Sequence, residues 1–124
     1  MTSVWFDLWL GAFVSTVLAE APVYGLFLRD RLGLASALAL GVALQCVTHP
    51  LFWLAWAAEP DLFFDHYGAA VFGFEAAVYT VEAAIIWAVL PRRPASAKLP
   101  NLALAFLASA TANTSSVLIG MMSS

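Results

Sequence analysis

Charge is what this sequence has least of. Five Lys or Arg and eight Asp or Glu make up 10% of its 124 residues, where a water-soluble domain carries about a quarter. With 63% hydrophobic residues and a mean hydropathy of +0.88, an ordinary soluble domain is excluded. The few basic residues form no stripe, so nucleic acid is not a partner. Cysteine is nearly absent: Cys46 stands alone, which rules out an internal disulfide and leaves a small packing residue in an apolar run. Residues 1–7 contain no Lys or Arg. The basic start of a secretory signal peptide is therefore missing, and the first apolar run is expected to remain as a permanent span. The apolar runs are spread evenly and the chain is short, so residues 1–124 are read as one membrane domain.

What is present is long hydrophobic runs. Four stand out, about 4–28, 34–57, 67–90 and 99–122, each matching the roughly 20 residues that cross a hydrocarbon core. The expected fold is all-α: a polytopic membrane protein built as a four-transmembrane-helix, up-down bundle, because short breaks make consecutive spans antiparallel neighbours. All five basic residues, Arg29, Arg31, Arg92, Arg93 and Lys98, fall in the first and third breaks, whereas the middle break holds Glu59, Asp61 and Asp65. The positive-inside rule then makes loops 29–33 and 91–98 cytoplasmic and puts both termini outside a plasma membrane or bacterial-type inner membrane. Trp5, Trp9, Trp53, Trp56 and Tyr67 gather toward the outer ends, as an interfacial belt does. Gly11, Gly41, Gly73 and Gly120 are expected to let helices approach closely. Pro22 and Pro50 should kink their spans, since neither donates to the carbonyl four residues earlier.

The polar residues within the spans recur at steps of three and four, which keeps them on one helical face. They are Thr16, Glu20 and Tyr24; Gln45 and His49; Glu75, Tyr79 and Glu82; and Ser109, Asn113 and Ser116. An acid facing lipid costs several kcal/mol (about 3 on insertion scales), so the stripes should face inward. Counting about 1.5 Å per residue from each span end gives two layers. Glu75, His49 and Asn113 form the outer one, Glu20 and Glu82 the inner one, with Gln45 and Tyr79 between. His49 and Glu75 are expected within direct or one-water reach.

Two carboxyls at one depth in a low dielectric cannot both ionise cheaply, so a shared proton or a bound cation is the expected use of Glu20 and Glu82. His49 and Glu75 extend that site, and Gln45, Tyr79 and Asn113 support it. The resulting expectation is proton- or cation-linked transport or ion handling. In an alternative reading His49 and Glu75, with Asn113 or Gln45, hold a divalent metal or activate a water for intramembrane hydrolysis. In a third, the polar residues serve as interhelical bonds of an assembly subunit. Because four short spans enclose little space, the bilayer should be joined by other partners: a homo-oligomer or further membrane subunits.

Overall fold

A computed structural model describes residues 3–92 and 99–123. Four long helices and one short one follow in order: α1 Ser3–Leu32, α2 Leu34–Ala58, α3 Pro60–Asp65, α4 Tyr67–Val89 and α5 Asn101–Ser123. The long helices are each apolar enough to cross a bilayer. The antiparallel four-helix bundle expected from the sequence is the observed fold.

The element ends follow local chemistry. α1 continues about one turn beyond the expected span end, carrying Arg29 and Arg31 in its last turn, where cations complement the partial negative charge of a helix C-terminus. Gly33 breaks the chain between α1 and α2 with φ of 78°, a backbone conformation that a side chain disfavours. The middle break is not simply a loop. Pro60 begins α3 with Asp61 in its first turn, a start favoured because proline lacks only an N–H that the first turn leaves unpaired anyway. Of the third loop, residues 93–98 lie outside the described residues. Its flanks are clipped together: Arg31 donates to Asn101 Oδ1 at 3.0 Å and to the Leu99 carbonyl at 2.9 Å, while Asn101 Nδ2 donates to the Pro91 carbonyl at 2.7 Å.

Packing is uneven around the bundle. α1 lies against both α2 and α5, α5 against α4, and α2 meets α4 only narrowly. Lipid tails are as apolar as leucine, so close approach rather than water exclusion must hold these helices. At Gly41 α2 approaches the backbone of α1 closely. A Cβ there would lie 2.9 Å from Tyr24 Cδ2 and 3.0 Å from Ala21 Cα. Gly11 and Gly73 do not serve this purpose, since a Cβ at either meets nothing within 4 Å. Alanine does the corresponding work on α5, where Ala105, Ala108 and Ala112 are fully buried. These join Tyr24, Leu28, Leu44, Ile86, Leu90 and Leu104 in a core weighted toward the Gly33 end. Toward the opposite end, indoles replace small residues between α1 and α2, with Trp5 edge-on to Trp53 at 6.3 Å. Large apolar side chains such as Leu18 and Phe72 are exposed on the outside, the surface a bilayer would cover.

Candidate functional site: a buried carboxyl node beside a polar cavity

Glu82 on α4 is fully buried, and the other three long helices all donate to it. Tyr24 of α1 donates its hydroxyl to Oε2 at 2.5 Å. Thr48 and Gln45 of α2 donate to Oε1 at 2.9 and 3.2 Å. Asn113 of α5 donates to Oε2 at 2.6 Å, with Ser109 at the 3.5 Å margin of hydrogen bonding. The second hydrogen on Gln45 Nε2 goes to Glu20 Oε2, so one amide joins the two carboxyls. Both Glu20 and Gln45 are nearly inaccessible. The expected pairing of Glu20 with Glu82 is thus present as an amide bridge.

These groups meet because side chains on a helix tilt toward its N-terminus. α1 and α4 run toward the Gly33 end, so Tyr24 and Glu82 lean away from it. α2 and α5 run the other way, so Gln45, Thr48 and Asn113 lean back toward it. The same tilt lets the Asn113 amide reach Glu82 from a position that also lines a cavity with His49 and Glu75. Counting residues placed it with His49 and Glu75, whereas its amide is bonded to Glu82 and to the Ser109 carbonyl, the latter at 2.9 Å. Tyr79 contributes its carbonyl, which accepts from Ser109 Oγ at 3.0 Å. Tyr24, Thr48 and Ser109 belong to the node although the sequence reading did not select them as site residues. Spacings of three from Gln45 to Thr48 and four from Ser109 to Asn113 were the available signals.

Beside the node lies a cavity of about 200 Å³ lined by Thr16, Glu20, Gln45, Thr48, His49 and Glu75, closed by Asn113 and Ser116 of α5. It occupies the side of the bundle where α2 and α4 hardly touch. His49 and Glu75 therefore share a wall, yet no hydrogen bond joins them among the described residues. The imidazole is surrounded by Trp9, Phe13 and Trp53, with ring centroids at 6.1, 5.5 and 6.3 Å, and its buried Nε2 has no hydrogen-bond partner. Among the described residues, no three His, Cys, Asp or Glu side chains converge as a metal-ligand group. Among the same residues the one ion pair is Arg29 with Asp30. It lies at the end of α1, so no cationic side chain among the described residues neutralises Glu20, Glu75 or Glu82.

Comparison with protein-family models, with curated proteins and with solved structures gives no match for this chain.

Proposed function

We propose that this protein handles a proton or a cation within the bilayer, using Glu20 and Glu82 as the binding pair and the polar cavity as its approach. The observation that carries this reading is the amide bridge: two buried carboxyls held on one Gln45 nitrogen, with no opposing side-chain cation among the described residues. Two negative charges so placed repel strongly in a low dielectric. A single exchangeable proton or cation relieves that repulsion, and the hydrogen-bond donors around Glu82 retain the remaining charge. Intramembrane acids cost too much to be kept for packing alone when neutral bonds would serve. Glu75 and His49 line the path by which the exchanged ion reaches the pair. A transition-metal or hydrolytic role for His49 and Glu75 has less support, because aromatic rings surround the imidazole and no third ligand of that type converges with them among the described residues.

The test is ion flux in proteoliposomes carrying an internal pH-sensitive dye. An imposed pH step should relax faster with protein than without it. Glu20→Gln should reduce that relaxation to the rate of empty vesicles while leaving thermal stability near that of the parent. Its amide oxygen can still accept from Gln45, so the bundle bond survives. Glu59→Gln, on the exposed middle break, should change nothing. Flux unchanged by Glu20→Gln and by Glu82→Gln would refute the reading.

A further inference from the structure

Most amide and hydroxyl hydrogens around the polar cavity are already committed. The Gln45 amide nitrogen is committed to Glu20 and Glu82, and that of Asn113 to Glu82 and the Ser109 carbonyl. Both residues are at least nine-tenths buried and line the cavity, and each retains a carbonyl oxygen, which can only accept. Two hydroxyl hydrogens are committed as well: Thr48 Oγ1 to the Leu44 backbone carbonyl at 3.0 Å or to Glu82, and Ser116 Oγ to the Asn113 backbone carbonyl at 2.9 Å. Their lone pairs remain. Adding Thr16 and the carboxyls of Glu20 and Glu75 gives oxygen acceptors from all four long helices, set in a lining completed by Ala12, His49, Phe52, Trp53 and Val78.

We infer that this cavity is a binding site for an alkali cation of sodium's kind, held by side-chain oxygens of Thr16, Gln45, Thr48, Glu75, Asn113 and Ser116. Oxygen donors suit hard cations, whereas softer transition metals favour imidazole and thiolate. Neutral oxygens outnumber carboxylates here, and divalent-ion cages rely on several carboxylates, so a single charge fits better than two. A spherical ion accepts lone pairs from any direction, which suits oxygens oriented by bonds made elsewhere. One water needs only about 10–15 Å³ of such space, so a cavity of about 200 Å³ admits the ion with part of its hydration shell. The inference rests on the ion-handling reading: it makes the cavity that leads to the Glu20/Glu82 pair the place where the ion is held, and it names the ion.

The test is thermal unfolding and calorimetric titration of the full chain in lipid nanodiscs, with sodium chloride against choline chloride at constant ionic strength. Sodium should raise the unfolding temperature and titrate saturably, since a ligand that binds the folded state alone stabilises it by mass action. Thr16→Val and Glu75→Gln should each weaken apparent sodium affinity about tenfold or more. Thr80→Val should leave it unchanged, because Thr80 is exposed and its hydroxyl is bonded to the Ala76 carbonyl of its own helix. Indistinguishable sodium and choline curves, parental affinity in both cavity variants, or tighter binding of calcium, magnesium or ammonium would overturn the assignment. Proton flux that requires Glu20 but ignores sodium would reject the ion identity and leave the function standing. Saturable sodium binding with flux insensitive to Glu20 and Glu82 would do the reverse.

Discussion

At the scale of single residues, the direction of each hydrogen bond matters more than how many there are. Every side chain that reaches Glu82 does so as a donor. From the sequence alone, Glu82→Gln looks harmless, because it keeps size and polarity. In the structure the new amide NH₂ would face either Gln45 and Thr48 or Tyr24 and Asn113. Hydroxyls can turn to accept; amide nitrogens cannot. Glu82→Gln is therefore expected to lower stability by about 1–3 kcal/mol, measured by unfolding in detergent or nanodiscs, and stability equal to the parent would mean the donors rearrange freely. Asn113→Ala should cost about 0.6–1.7 kcal/mol, the range measured for interhelical bonds in membrane proteins. Its effect should be less than additive with Gln45→Ala, since both act through one carboxylate.

Among the helices, the spacing between elements depends on where the small residues face. Gly41→Ala puts a Cβ against the backbone of Ala21 and the ring of Tyr24, and backbone cannot yield as a flexible side chain would. A loss of about 1–3 kcal/mol is expected for that overpacking, together with reduced ion flux, because Tyr24 carries one of the bonds to Glu82. Gly73→Ala and Gly11→Ala meet open space. They should be neutral or stabilising by about 0.5–1 kcal/mol, the ordinary gain from replacing a helical glycine. If Gly73→Ala harmed the protein as much as Gly41→Ala, the outward face of α4 would be a packing surface. Pro22 and Pro50 both sit within helices, and at Pro50 the chain passes from the polar His49 wall to the indole-rich end of α2.

For the whole molecule, sidedness has a direct test. We propose that the Gly33 end faces the cytoplasm, because all basic residues lie in the breaks at that end. In a Cys46→Ser background, cysteines placed at Asp61 or at either terminus should react with an impermeant thiol reagent applied outside intact cells. A cysteine at Arg29 or Arg92 should react only after the membrane is opened. The opposite pattern would invert the orientation while leaving the node and cavity as they are. A homo-oligomer remains a proposal at this scale, drawn from the small enclosed volume of one bundle.

Hydropathy and length are sums over neighbours in the chain. For that reason the solvent, the number of spans, their approximate ends and the polar stripe on each span could be read from residue types alone. Helix periodicity also brought Glu20 and Glu82 to the inside. What periodicity does not carry is which helices touch, how far each is rotated and which way a side chain tilts. Those come from close approach at Gly41 and along the alanines of α5, and from the opposed tilt of side chains on antiparallel helices. Tertiary packing therefore bonded Asn113 to Glu82 while keeping it in the cavity lining with His49, made Gln45 the bridge between two acids and left α2 and α4 far enough apart for a cavity. A hydrogen bond depends on placing two atoms to within a few tenths of an ångström, and residues as distant in sequence as Tyr24 and Glu82 reach that precision only once the bundle has closed.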